Sequence, residues 1–212
     1  MEFRRVSEAV IRRMPKYYRQ LQVLQAQGME RISSGKLAQM MRLNASQVRQ
    51  DFNCFGGFGQ QGYGYNVTTL LNEIKNILAL NQTHSAIVAG AGNIGRALAS
   101  FDYFEQQGFT ITALFDINEE IVGTEVNGKP VLHIDSMEEY VRENNVEVGI
   151  ITARRSAAQE LADRMVKAGV KGIWNFAPAD VTAAVPVENI HMTDSLICLT
   201  YKMFHNVTED EE

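Results

Sequence analysis

The chain has 212 residues, 45% of them hydrophobic, and a formal net charge of -5. That length suits one large domain or two small ones with real cores, and no run of about 18 apolar residues marks a membrane span. The two cysteines, Cys54 and Cys198, are too far apart for metal spacing and give no disulfide framework, which fits a reduced, cytoplasmic setting. The charge is unevenly spread. Residues 1–80 hold 11 Lys and Arg against 5 Asp and Glu, whereas residues 81–212 hold 9 against 20. A basic front half and an acidic back half imply two modules with different partners, phosphate being the obvious one for the front.

Met1-Glu2-Phe3-Arg4-Arg5 leads into an amphipathic stretch rather than an apolar signal region. From Val6 to Gln25 apolar residues recur at helical spacing, and Pro15 predicts two helices or a break near Met14. Gly28 stops the second. Ser33 and Ser34 are candidate N-caps for a short helix over Gly35 to Met41. Asn44, with Gln47 three residues on, opens a helix reaching about Phe55, with Val48 and Phe52 inward. Three helices with a tight turn between the last two make a helix-turn-helix candidate. Phe55 to Tyr65 interleaves five glycines with aromatics and suits the hairpin wing of a winged-helix fold. A further helix follows over Leu70 to Leu80, then a polar linker over Asn81 to His84.

The back half alternates strand and helix. Strands are expected at Ser85–Ala89, Thr110–Phe115, Pro130–Ile134, Val146–Thr152 and Gly172–Phe176. Helices are expected at Ile94–Gln107, Asp135–Asn145, Ser156–Ala168 and Thr193–Phe204. The fold class is therefore α/β: an N-terminal winged-helix domain over 1–80, then a Rossmann-type doubly wound parallel sheet over 85–192. A C-terminal helix over 193–206 carries an apolar stripe that must bury against something, and 207–212 is an acidic tail expected to be disordered.

One segment carries specific chemistry. Ile87-Val88-Ala89-Gly90-Ala91-Gly92-Asn93-Ile94-Gly95 runs from strand through Gly-x-Gly-x-x-Gly into a helix, and Asp116 follows at the end of the next apolar run. In that context the glycines are the fingerprint of a dinucleotide site. Gly90 permits the tight turn, Gly92 admits a pyrophosphate to backbone amides, and Gly95 lets helix and strand pack closely. Asp116 would accept hydrogen bonds from a ribose and disfavour a 2′-phosphate, which selects NAD over NADP. Thr152-Ala153 and Asn175-Phe176-Ala177-Pro178 lie at strand ends, where ligands bind such sheets, and read as cofactor pocket rather than reaction centre. His84, His133, His191 and His205 are scattered, with no metal spacing and no proton-transfer dyad, and no catalytic residue is expected.

On the front half, Ser46, Gln47, Arg49 and Gln50 occupy the first turns of the second helix of the motif, where such helices touch base edges. Polar helix faces are ordinarily just solvated, but the basic front half and the glycine-rich wing favour DNA. Lys36 and Arg42 would bind phosphates and fix register. An NAD-dependent oxidoreductase with a helical appendage is the competing class.

The residues also resemble the Rex family of redox-sensing transcriptional repressors, nearly end to end. The resemblance rests on Pro15-Lys16-Tyr17-Tyr18-Arg19, Ser33-Ser34, Ala45 through Phe52, and Phe55-Gly56 through Gly62 to Val67. In the back half it rests on Gly90–Gly95, Phe115-Asp116, Val122-Gly123, Ala157-Ala158-Gln159 and Gly169 through Pro178. It implies a homodimer whose C-terminal helix is domain-swapped onto the partner subunit, bound to a palindromic double-stranded DNA operator when NAD+ dominates and released by NADH. It extends the cofactor set to Ile117 and Val122, and the DNA set to Ser34, Phe58, Gln60, Gln61 and Tyr63. Four positions depart from the family pattern. Gln60-Gln61 replace basic residues in the wing, and Arg49-Gln50 stand where two basic residues are usual. Ala153-Arg154-Arg155 replace an apolar residue and proline, leaving Arg154 to meet either a cofactor phosphate or solvent. His191 takes the place of an aspartate able to pair with an arginine at Arg19, with Asp194 three residues later, so Arg19, His191 and Asp194 are the switch candidates.

Overall fold

A computed structural model of the protein describes residues 6–58 and 63–205. The chain divides into two compact units, Met1–Gln82 and Thr83–Glu212.

The first unit is helical. Helix α1 (Glu8–Ala26) buries Met14, Tyr17, Tyr18, Leu21 and Leu24 along one stripe. It runs unbroken through Pro15, where the sequence predicts a break. Pro15 and Ile11, whose carbonyl loses its helical partner, both face solvent, so water can satisfy that carbonyl. The buried stripe on the other side holds the helix together. Gly28 then turns the chain at φ 72°.

A two-residue strand β1 (Arg31–Ile32) precedes helix α2 (Ser34–Met41), whose N-cap Ser33 accepts from the Lys36 amide. Arg42, in the left-handed conformation, makes the tight turn. Asn44 then caps helix α3 (Ala45–Asn53), accepting from the Gln47 amide at 2.8 Å. Val48 and Phe52 anchor α3 in the core with Leu37, Leu70 and Ile74. The expected hairpin over Phe55–Tyr65 is only partly described. Its strand β2 (Tyr65–Asn66) pairs antiparallel with β1, a partner too short for periodicity to show. At Gly64, φ 68°, a side chain would press on the Ile32 carbonyl oxygen at 2.6 Å, so glycine is required there. Helix α4 (Val67–Ile77) starts three residues before its predicted position because Asn66 caps it at the Thr69 amide.

The second unit is a seven-stranded sheet. In chain order it comprises β3 (His84–Ala89), α5 (Asn93–Ala99), α6 (Tyr103–Gln106), β4 (Phe109–Asp116), β5 (Glu125–Val126) and β6 (Lys129–His133). A 3-10 turn (Ile134–Ser136) leads to α7 (Met137–Glu143), β7 (Val148–Ile151), α8 (Arg155–Ala168), β8 (Gly172–Asn175), β9 (Val187–Asn189) and α9 (Met192–Phe204). The order is β5-β6-β4-β3-β7-β8-β9, with β5 antiparallel to β6 and the other pairings parallel. The single helix expected over Ile94–Gln107 is instead α5 and α6. The Ser100 hydroxyl donates to the Arg96 carbonyl, and backbone bonding tightens to Phe101 N–H onto the Leu98 carbonyl and Phe104 N–H onto the Phe101 carbonyl. Strand β3 shows why the sheet must be covered twice. Ile87 and Ala89 face a core with α7 and α8, while Ala86 and Val88 face another that includes Ala99 of α5.

The six parallel strands, numbered among themselves, lie in the order third, second, first, fourth, fifth, sixth, the dinucleotide-binding arrangement. That order reverses between β3 and β7, the point beyond whose carboxyl ends sheets of this kind bind their ligands.

Candidate functional site: a dinucleotide cradle and a DNA-facing helix

The glycine turn sits at this reversal. Gly90, φ 107°, leaves β3, and a side chain on it would press on the Thr152 carbonyl carbon at 2.9 Å and the Ala153 nitrogen at 3.0 Å. Gly95, buried in α5, has no room either: a side chain would collide with the Gly90 carbonyl oxygen and meet Thr152 Oγ1 at 2.8 Å. Gly92, the N-cap of α5, differs. A side chain there would meet no heavy atom within 4 Å. Gly90 and Gly95 are therefore explained by the protein's own packing, and Gly92 is not. Open space over first-turn amides is what a pyrophosphate needs, so these residues fit a dinucleotide.

Asp116 ends β4 beside this turn. Its Oδ2 accepts from the Ala91 amide at 2.7 Å and its Oδ1 from the Asn118 amide at 2.9 Å. The two bonds aim the carboxylate and leave it lone pairs for ribose hydroxyls. Ile117, exposed, and Val122, half-buried, follow it. Asn93 and Ile94 are exposed on the first turn of α5, and Ala91 is buried.

At the end of the neighbouring strand β7, Thr152 donates its hydroxyl to the Gly90 carbonyl at 2.6 Å. It thereby shapes the glycine turn, and half-buried Ala153 follows it. Asn175 likewise shapes the pocket rather than lining it. The fully buried amide donates to the Ala179 carbonyl and Asn189 Oδ1 and accepts from the Ala177 amide. The loop Phe176-Ala177-Pro178 is thus fixed, and Arg155 Nε ties it to the start of α8 through the Pro178 carbonyl at 2.7 Å. Arg154 is exposed at the N-cap of α8. Phe176 stacks edge-on with Trp174 at 4.6 Å.

In the first unit, Ser46, Arg49 and Gln50 are exposed on α3 and Gln47 is half-buried. Arg49 Nη1 donates to Ser34 Oγ at 3.2 Å, which positions the guanidinium between α2 and α3. Lys36 and Arg42 are exposed nearby in sequence, at the start and end of α2. Phe58 packs edge-on against Phe52 at 5.9 Å, so its ring belongs to the core. Tyr63 is exposed. Gln60 and Gln61 lie outside the described residues.

Two features of this unit are not visible in the sequence. The Arg31 guanidinium lies over the Tyr63 ring at 5.9 Å, and its Nε donates to the Tyr63 carbonyl at 3.1 Å. Only the short β1–β2 pairing brings these together. Asp51, 2% exposed, accepts from Arg13 Nε and Nη2 at 2.7 Å each and from the Tyr17 hydroxyl at 2.8 Å. Its signal was an acid at an inward position of a basic module's helix. The Asp51 hydrogen bond holds the Arg13 guanidinium above its usual value, and burial, then the Asp51 bond, pushes the Tyr17 hydroxyl up.

Of the switch candidates, Arg19 is exposed on α1. His191 Nε2 pairs with Asp180 Oδ1 at 2.8 Å, and Asp194 lies in the first turn of α9. Helix α9 leaves Met192, Leu196, Ile197, Leu199, Tyr201, Met203 and Phe204 each more than half exposed. Among the described residues no helix is long and apolar enough to cross a membrane, and no group of side chains could hold a metal.

Comparison with known proteins accords with this geometry. Residues 5–53 match a family model described as the N-terminus of a putative DNA-binding protein, and residues 81–179 match one described as a CoA binding domain. The chain is 48% identical to the redox-sensing transcriptional repressor Rex of Clostridium tetani, over 94% of this chain and 96% of that one. The Clostridium novyi repressor of the same name is 46% identical over 93% and 95%. Among solved structures, the Rex-family protein RSP in complex with beta-NAD+ and operator DNA is 44% identical. That match has a TM-score of 0.91 and covers 95% of this chain and 94% of that one. The beta-NADH complex of RSP has a TM-score of 0.88 at 40% identity, covering 96% of each chain. The chain belongs to the Rex family of redox-sensing transcriptional repressors.

Proposed function

We propose that this protein is a non-enzymatic, NAD(H)-responsive repressor that binds a palindromic DNA operator as a cytoplasmic homodimer and leaves it when NADH binds. The observation that carries this reading is the pairing, in one chain, of an exposed Ser46–Arg49–Gln50 helix face with an open glycine cradle at Gly92. Its relatives are named as redox-sensing repressors, and a family structure contains both beta-NAD+ and operator DNA.

We assign residues 1–80 to DNA binding, 85–192 to the cofactor and 193–206 to a helix exchanged with the partner subunit. The exposed apolar side chains of α9 support the exchange, because a stripe of that size needs a partner surface. Gly92 and the first turn of α5 hold the pyrophosphate, Asp116 the ribose, and the loops Thr152-Ala153 and Asn175–Pro178 enclose the far end. When bound, the nicotinamide ring supplies a charge difference, cationic when oxidised and neutral when reduced. The loop residues at that end, Ala153, Phe176, Ala177 and Pro178, are apolar, and an apolar surround penalises an unpaired charge. These residues therefore favour the reduced form. A preference of this kind moves the protein only if one of its conformations binds the reduced form better. Arg19, His191 and Asp194 are assigned to that coupling. Two recognition helices must meet half-sites at fixed spacing, so a change of arrangement ends operator binding.

The test is selection of duplexes from a randomised pool by the full-length protein. The selected duplex is palindromic, and NADH releases it where NAD+ does not. Selection of no duplex, or equal action of both nucleotides, overturns the reading.

A further inference from the structure

Asp51 is a buried charge that neither DNA nor cofactor contact explains. It lies on α3 about 200° around the helix from Arg49, on the face turned to α1. Its carboxylate takes a two-pronged bond from Arg13 and a third bond from Tyr17. Arg13 and Tyr17 stand on either side of Pro15, where α1 lacks one backbone bond. The Tyr17 ring also packs on Phe52, the residue after Asp51, at 4.8 Å.

Burying such a pair is a poor way to gain stability, since the desolvation cost rivals the attraction. A forked guanidinium–carboxylate pair instead provides direction: two parallel bonds fix an angle as well as a distance. The apolar contacts of Val48 and Phe52 hold α3 against the core, and three bonds to one carboxylate add a directional restraint on rotation about its axis.

From this arrangement we infer that Asp51, gripped by Arg13 and Tyr17 across the Pro15 gap, is a positioning residue that sets the rotation of α3. It thereby aims Ser46, Arg49 and Gln50 at base edges. The inference rests on the reading of α3 as the recognition helix. Asp51 touches no base; it acts through the helix it belongs to.

The test compares Arg13→Lys, which keeps the charge and loses the fork, with Arg13→Met/Tyr17→Phe/Asp51→Leu, which replaces the whole group by apolar bulk and leaves no buried hydroxyl unpartnered. Both are made in the full-length protein. The probes are the duplex selected by the wild type and poly(dI-dC). Both variants should bind the selected duplex at least about tenfold more weakly. Binding to poly(dI-dC), NADH affinity and melting temperature should stay near wild type. Wild-type affinity for the selected duplex in either variant overturns the inference. So does a loss that merely follows melting temperature, which would mark the pair as structural only. A readout without DNA separates this claim from the functional reading. Hydrogen exchange of α3 amides should quicken in Arg13→Lys at unchanged melting temperature. If the wild type selects no duplex, the repressor reading fails and exchange alone decides: faster exchange sustains the positioning role, and identical exchange overturns it.

Discussion

Gly92→Ala separates cofactor binding from folding. The new methyl would meet no protein atom within 4 Å, and φ -74°, ψ -167° is open to any residue. Two small effects on stability oppose each other. Losing glycine's freedom in the unfolded chain stabilises by about 0.4–1 kcal/mol. Alanine at an N-cap costs about 0.5–1 kcal/mol. The melting temperature should therefore barely move. Binding should suffer, because the methyl occupies the space through which a pyrophosphate reaches the first-turn amides. Losing one hydrogen bond to a charged group costs roughly 1.5–3 kcal/mol, a weakening of roughly ten- to a hundredfold. Gly95→Ala is the contrasting variant. Its methyl collides with the Gly90 carbonyl and crowds Thr152 Oγ1 and Val88, so overpacking of about 1–3 kcal/mol should lower stability and binding together. Calorimetry with NADH and thermal unfolding, run on both variants, read the two quantities. Gly92→Ala with wild-type NADH affinity, or with as large a stability loss as Gly95→Ala, would refute the pyrophosphate assignment.

Further outcomes follow from the same geometry. Asn175→Ala strands the Ala177 amide and the Ala179 carbonyl, and should lower unfolding stability by about 2–3 kcal/mol; an unchanged melting curve would show the network is dispensable. Arg49→Ala should weaken operator binding by roughly 1–3 kcal/mol if Arg49 reads a base, whereas unchanged affinity in a gel shift would place it on a solvated face. Arg19→Ala should keep NADH affinity in calorimetry yet lose NADH-driven release from DNA, and normal release would remove Arg19 from the switch. The Arg164 bond to Glu138 at 2.6 Å holds that carboxyl below its ordinary range. A depressed folded-state value means the pair's stabilisation is complete at neutral pH and lost as pH falls through the acid range. Glu138→Gln should therefore lower stability at pH 7 and flatten the acid limb of a stability–pH curve, and a parallel curve would discount the pair.

What the sequence made legible follows physical lines. The parallel strands announce themselves because Ala86–Ala89 and, apart from half-buried Thr112, Ile111–Phe115 are buried on both faces and so read as largely apolar runs. The caps at Ser33 and Asn44 were visible because side-chain caps act over three residues. β1, β5 and β9 were not, being two or three residues long and defined by distant pairing. The break expected at Pro15 failed because tertiary burial of Met14 and Tyr17 outweighs one lost bond on the wet side. In the site, the glycine turn and Asp116 were legible as a local motif. The Thr152 bond to Gly90, the Asn175 network and the Asp51 grip were not, because each depends on residues far apart in sequence.

A repressor of this kind reads the balance between two forms of one cofactor, not the amount of either. Fluorescence anisotropy of the selected operator, with total nucleotide held constant and the NADH to NAD+ ratio varied, tests it most directly. Bound DNA should fall in a single transition as the NADH fraction rises, and recover when the ratio is reversed. Occupancy that depends on total nucleotide and is indifferent to the ratio would contradict it.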